Sequence, residues 1–130
     1  MNLPANALAR YGAVKVTTAN PGNLLVMLYE GLIRFLREAQ AAMAAQDRAR
    51  AGERLGRSQA IISHLLSSLD SQHAPELCKN LQSLYVFCIS HLLKANLEQD
   101  PEKIGEVLRL LTPLRDAWVA AVAQVSGTPR

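Results

Sequence analysis

Apolar residues recur at the spacing of an α-helix in four consecutive segments of this chain, and short breaks separate the segments. The first segment shows steps of three and four residues along one face: Leu24, Leu28, Leu32, Phe35 and Ala39. With 130 residues, of which 49% are hydrophobic and only 5% aromatic, the chain can bury one helical core. Because short connections make consecutive helices neighbours, the pattern predicts an all-α fold, an antiparallel four-helix bundle.

Local signals predict where the helices begin. Asn20 is a suitable N-cap, and Pro21 suits the first helical position because a missing N–H costs nothing there. The Asp-Pro pair at 100–101 repeats the same device for the fourth helix. The second helix is expected to follow an N-cap at Asp47 and to run to about Leu69.

Two further prolines and the chain ends complete the predicted organisation. The third helix is expected to open at Pro75, and Pro113 is expected to interrupt and kink the fourth, because proline removes a backbone hydrogen bond. The bundle is assigned to residues 20–125. Residues 1–19 are predicted to be a mobile N-terminal segment and a candidate movable cap, and residues 126–130 a frayed tail.

Charge and hydropathy narrow the classes of function. The chain has 14 basic and 11 acidic residues, a formal net charge of +3 that does not indicate a nucleic-acid partner. Arg50, Arg54 and Arg57 allow two interpretations, phosphate contact or a solvated face interleaved with Glu53. No apolar run is long enough to insert into a membrane, and no secretory signal is visible, so a cytoplasmic location is expected.

The reactive side chains do not predict an enzyme. Cys78 and Cys88 are too far apart on one helix for a disulfide, so reduced thiols are expected. Cys88 and His91 lie three residues apart, and we interpret them as a structural thiol and a surface histidine rather than a metal or nucleophile site. Gly52 and Gly56 fall inside the predicted second helix, where they are expected to allow close packing.

The third helix has more apolar surface than one neighbour needs. Its inward face is predicted to contain Leu77, Leu81, Leu84, Tyr85, Cys88 and Leu92. A second stripe lies beside that face: Val86, Ile89, Leu93 and Leu97. Two interpretations of the stripe are open, burial by a neighbouring helix or the N-terminal segment, and a groove for an amphipathic partner helix.

Three groups of residues, in register over about residues 9–122, resemble the FliS family of flagellar secretion chaperones. The first group is Pro21, Leu24, Met27, Leu28, Tyr29 and Gly31. The second is Leu84, Tyr85, Leu92, Ala95, Asn96 and Asp100. The third is Glu106, Val107, Ala117 and Trp118.

The resemblance implies a cytoplasmic chaperone that binds the C-terminal segment of flagellin, prevents premature polymerisation and helps deliver the subunit to the flagellar type III export gate. It implies no catalysis and no nucleotide, and we expect no cofactor and no metal. It also implies that the segment around Tyr11 lies over the binding surface in the free state and is displaced by flagellin. The stripe from Val86 to Leu97 is the expected contact for both.

Several alternatives remain at the level of sequence. The runner-up is a helical adaptor or export chaperone for a different flagellar or secreted subunit. A small basic nucleic-acid binder acting through the three arginines of the second helix is less favoured, and an enzyme is the least favoured. The sequence leaves open whether the free protein is a monomer or a homodimer.

Overall fold

The computed structural model describes residues 21–126, and within that range the chain forms four helices and no strand. They are α1 (Pro21–Ala44), α2 (Arg48–Ser67), α3 (Pro75–Glu98) and α4 (Pro101–Ser126). The predicted all-α fold is confirmed. The expected Asn20 cap, the N-terminal segment with Tyr11 and residues 127–130 lie outside the described residues.

The helix starts follow the local signals in the sequence. Asp47 caps α2, because its Oδ1 accepts a hydrogen bond from the Arg50 amide at 3.1 Å. Asp100 acts in the same way before α4, where its Oδ1 accepts from the Glu102 amide at 3.0 Å. Proline is the first residue of three helices: Pro21 in α1, Pro75 in α3 and Pro101 in α4.

The helix ends depend on backbone geometry that the sequence signals less clearly. Helix α2 ends at Ser67, two residues before the predicted Leu69, and the Ser68 amide bonds to carbonyl oxygens of the last turn. Helix α3 ends at Glu98 because Gln99 adopts a left-handed conformation with φ of 52°. This conformation is uncommon for a residue with a Cβ atom, and it lets the chain reverse directly into α4.

The four helices form a closed antiparallel ring in which α1 and α3 each pack against both α2 and α4. Gln40, late in α1, donates from Nε2 to the carbonyl oxygen of Pro101 at the start of α4, at 3.1 Å. Arg54, early in α2, pairs with Glu38, late in α1, at 2.7 Å. Within residues 21–126 the diagonal pairs, α1 with α3 and α2 with α4, make no close backbone approach.

Side chains from all four helices fill the centre of the ring. The hydroxyl groups of Tyr29 and Tyr85 are hydrogen-bonded to each other with an oxygen–oxygen distance of 2.5 Å. Trp118 meets Tyr29 edge-on, with ring centroids 6.2 Å apart. Large apolar side chains surround this pair and are completely buried: Leu32, Leu36, Ile62, Leu92, Ile104 and Leu111. Each such burial stabilises the fold by roughly 1.5–3 kcal/mol.

Helix α4 continues through Pro113, so the prediction that this residue interrupts the helix is wrong. The kink itself stays a prediction. Pro113 is exposed, while Leu111 is buried and Leu114 packs against the core. The backbone carbonyl that loses its partner therefore lies towards solvent, where water can satisfy it, and the apolar side of α4 remains packed.

Candidate functional site

The second apolar stripe of α3 is largely open to solvent. The exposed fraction is 51% for Val86, 55% for Leu93 and 80% for Leu97, and no helix within residues 21–126 covers these side chains. Ile89 differs from them because it is half-buried and packs against the core. Contiguous exposed apolar side chains of this size are typical of an interaction surface.

Gln59 shows that α2 runs beside this stripe. Its Nε2 donates a hydrogen bond to the carbonyl oxygen of Ile89 at 3.1 Å, in the middle of the stripe. Its Oε1 is buried and has no hydrogen-bond partner within the described part of the chain. The stripe therefore runs along the side of α3 that adjoins α2, and we call this surface the α2–α3 groove.

Two glycines of α2 have open space above them. Gly56 and Gly52 lie three and seven residues before Gln59, within about 60° of it around the helix. A Cβ atom built on either glycine would meet no described atom within 4 Å. The prediction that they allow close packing inside the bundle is wrong. Each costs roughly 0.5–1 kcal/mol relative to alanine in a helix interior.

Two more apolar side chains of α3 are exposed away from the stripe. Leu77 is 47% exposed, so the prediction that it faces inward is wrong; it lies in the first turn, near the end of the ring. Phe87 is 45% exposed and was not selected from the sequence. Phe87 is two residues from Ile89, so at about 100° per residue the two side chains lie nearly opposite each other on α3. A helical wheel of every apolar residue in α3 would therefore have shown Phe87 away from the stripe.

A hydrogen bond joins the flank of α3 that carries Phe87 to α4. His91 Nε2 lies 2.5 Å from Glu106 Oε1 of α4, and the imidazole stacks on the Phe87 ring with centroids 4.8 Å apart. The expectation of a surface histidine is wrong, because His91 is largely buried between α3 and α4. Cys88 points into the core. No three His, Cys, Asp or Glu side chains of residues 21–126 are grouped to hold a metal.

The arginines of α2 are engaged with acidic side chains. Arg54 pairs with Glu38 at 2.7 Å and also with Glu53, while Arg57 pairs with Glu53 at 2.5 Å. The hydrogen bond from Arg57 lowers the pKa of the Glu53 carboxyl. Arg50 is exposed. This arrangement favours the interpretation as a solvated, ion-paired face over a phosphate site.

Comparison with known families identifies the bundle. The family model described as flagellar protein FliS matches residues 4–125. The chain belongs to the FliS family. The flagellar secretion chaperone FliS of Bacillus subtilis is 34% identical over 117 residues, which cover 90% of this chain and 86% of that protein. The flagellar secretion chaperone FliS of Salmonella typhimurium is 34% identical, with 88% of each chain covered.

A solved structure agrees with the fold of this FliS-family chain. A crystal structure of a flagellar chaperone from bacteria superposes with a TM-score of 0.75 and 20% identity, covering 92% of this chain and 98% of that one. The match to the family model and to the curated relatives confirms as family membership the resemblance drawn from three sequence elements. No helix within residues 21–126 is long and apolar enough to cross a membrane. The FliS match includes Tyr11, whose predicted role in covering the site stays a prediction.

Proposed function

We propose that this FliS-family protein is a cytoplasmic export chaperone that holds the C-terminal segment of flagellin in the α2–α3 groove. Binding would keep that segment from polymerising before export and present the subunit to the flagellar type III export apparatus. The proposed role needs neither catalysis nor a cofactor. Family membership and the names of the curated relatives support the chaperone role.

The open stripe on α3 is the observation that carries the choice of site. Val86, Leu93 and Leu97 are spaced by seven and four residues, so they form an exposed apolar strip along one flank of α3 that a client helix can contact with its own apolar face. A client segment that is unstructured when free would lose conformational entropy on binding and would gain apolar burial. A few such anchors give binding that remains reversible enough for release.

In the free protein, the N-terminal segment would cover the stripe and so prevent self-association. Tyr11 lies ten residues before Pro21, the first residue of α1, and an extended chain of that length reaches at most about 36 Å. Helix α3 has 24 residues and spans about 36 Å, so the reach of Tyr11 is comparable with the length of that helix. In this proposal, flagellin displaces the Tyr11 segment by competing for the same apolar side chains.

Calorimetric titration with the C-terminal segment of flagellin from the same organism tests the proposal. We expect one-to-one binding with a large negative heat-capacity change, because apolar surface is buried. Leu93→Asp should weaken binding roughly 10- to 100-fold, since burying one leucine contributes about 1.5–3 kcal/mol. The fold should persist, because Leu93 is exposed.

Val119→Asp is the matched control, because Val119 is also an exposed apolar residue but lies on α4. It should bind as the wild type does. A folded wild-type protein that does not bind the flagellin segment would contradict the proposed client. Equal losses in the Leu93 and Val119 variants would contradict the proposed site while leaving the client in place.

A further inference from the structure

A pocket lies between α1 and α4, on the side of the ring opposite the α2–α3 groove. Because α1 and α3 each pack against both α2 and α4, the α1–α4 and α2–α3 edges of the ring lie diagonally across from each other. The pocket has a volume of about 420 Å³, and we call it the α1–α4 pocket. It is lined by two apolar side chains and five charged ones: Ile33, Ala41, Glu30, Arg34, Arg37, Glu38 and Arg115.

The three arginines of the α1–α4 pocket are incompletely paired within the bundle. Arg37 is exposed and makes no hydrogen bond or ion pair with any residue of 21–126. Arg34 lies 3.9 Å from Glu38, whose carboxylate is already bound by Arg54 at 2.7 Å. Arg115 is engaged only through Nε, which donates to the neighbouring aspartate at 2.8 Å. The pocket therefore presents guanidinium donors that no carboxylate in the described part of the chain uses.

The charges of the bundle are also unevenly distributed. Residues 21–67 contain six arginines, no lysine and four acidic side chains, a formal charge of +2. Residues 75–126 contain five basic and six acidic side chains, a formal charge of −1. Arginine presents a planar fork of donors that can bind one carboxylate through two parallel hydrogen bonds, whereas lysine acts as a point charge. The charge and the residue type on the α1 side of the bundle therefore both favour a carboxylate ligand.

We propose that the α1–α4 pocket is a docking site for an acidic segment of a second protein partner. Carboxylates of that segment pair with Arg34, Arg37 and Arg115, and an apolar side chain between them contacts Ala41 and the aliphatic stems of the arginines. Because the pocket and the α2–α3 groove lie on opposite edges of the ring, this partner binds while the groove is occupied. The site rests on the pocket itself and does not depend on which client the groove holds.

Glu30 gives the proposal a distinctive test. It lines the same pocket and, like Arg37, forms no pair with another described side chain. Its carboxylate repels an acidic segment, so Glu30→Gln should tighten binding about twofold or more. Arg37→Ala should weaken binding roughly three- to tenfold, and the double change with Arg34→Ala at least about tenfold. Arg37→Ala should leave Tm unchanged, because Arg37 is exposed.

Fluorescence anisotropy of a labelled peptide, with one leucine between two pairs of glutamates, measures the affinity. The wild type is expected to bind this peptide saturably at low ionic strength and more weakly at high salt, because exposed ion pairs are screened. The same peptide with glutamine in place of glutamate should not bind. Arg50→Ala is the matched control, because Arg50 is an exposed arginine of α2 that does not line the pocket, and it should bind as the wild type does.

The outcomes separate this inference from the proposed function. A folded wild-type protein that does not bind the glutamate peptide overturns the inference and leaves the flagellin proposal standing. Equal losses in Arg37→Ala and Arg50→Ala, or no gain in Glu30→Gln, overturn the pocket as the site, because they indicate attraction by overall charge alone. Tighter binding of a single-stranded RNA of equal charge overturns the choice of an acidic protein.

A competition experiment tests whether the two surfaces are independent. A saturating amount of the flagellin C-terminal segment should leave the affinity for the glutamate peptide unchanged. Displacement of the peptide by that segment overturns binding at a separate edge of the ring. Failure of the flagellin segment to bind, with the peptide still bound, contradicts the proposed client and supports the α1–α4 pocket as an independent site.

Discussion

Cys88 and Cys78 lie on the same helix but in different surroundings. Cys88 is completely buried, whereas Cys78 is half-buried and donates its S–H group to the carbonyl oxygen of Asp70 at 3.0 Å. Both thiols are free, as predicted. Burial raises the pKa of the Cys88 thiol from 9.0 to about 12, because apolar surroundings disfavour the thiolate. Its contribution to stability is therefore complete below pH 9 and is lost as pH rises towards 12.

Alkylation should distinguish the two cysteines. At mildly alkaline pH we expect iodoacetamide to label Cys78 at least about tenfold faster than Cys88, because the reactive species is the accessible thiolate. Peptide mass spectrometry over a time course measures both rates. In denaturant the rates should become similar, which serves as the control. Equal rates in the folded protein would show that α3 opens often enough to expose Cys88.

At the scale of one element, α4 combines a helix-breaking residue with a well-packed face. Pro113 leaves one backbone hydrogen bond of α4 unmade, yet Leu111 and Trp118 on either side of it pack in or against the core. The exposed position of Pro113 explains why the helix continues. The packing of α4 against the core therefore outweighs the free-energy cost of the missing backbone hydrogen bond, which lies on the solvent-facing side of the helix.

Restoring that hydrogen bond should stabilise the bundle. Pro113→Ala is expected to raise the free energy of unfolding by about 1–3 kcal/mol, because alanine removes the cost of proline in a helix interior. Part of that gain is offset because alanine leaves the unfolded chain more conformational freedom than proline does. Urea denaturation measures the change. Pro101→Ala is the control, since proline at the first helical position has no bond to restore, and it should not stabilise. A loss of stability in Pro113→Ala would show that the packing of Trp118 needs a bend.

For the whole molecule, the Tyr29–Tyr85 pair joins the diagonal helices α1 and α3, whose backbones do not approach each other closely. Both side chains are almost fully buried, and burial raises the pKa of each phenol. Each hydroxyl is therefore neutral at ordinary pH, so one can donate and the other accept. The pair therefore adds a hydrogen bond, which requires two particular side chains to meet, to a core otherwise packed from apolar groups.

A double-mutant cycle should reveal the coupling in this pair. Tyr85→Phe and Tyr29→Phe should each lower the free energy of unfolding by about 1–3 kcal/mol, because each leaves one buried hydroxyl without its partner. The double variant should lose less than the sum of the two, with a coupling of about 1 kcal/mol. Phenylalanine keeps the ring packing, so the cycle isolates the hydroxyl contact. Additive losses would contradict a direct interaction.

Features that depend on a few neighbouring residues were predictable from the order of the amino acids. Proline at a first helical position and aspartate as an N-cap act within one turn, so the starts at Pro75, Asp47 and Pro101 were predictable. The apolar period likewise predicted the four-helix fold, and three motifs in register were enough to indicate the family. The left-handed Gln99 that ends α3 had no comparable signal, since glutamine rarely takes that conformation.

Which side chains are covered depends on how the helices pack against one another. His91 became buried because Glu106 of α4 lies beside it, whereas Leu77 stayed exposed because the ring ends near the first turn of α3. Gly52 and Gly56 face open space rather than a packed neighbour. A helical period states which residues share a face, but exposure depends on which other helix lies against that face. That choice is made by contacts between residues far apart in the chain, and the α2–α3 groove exists only once they form.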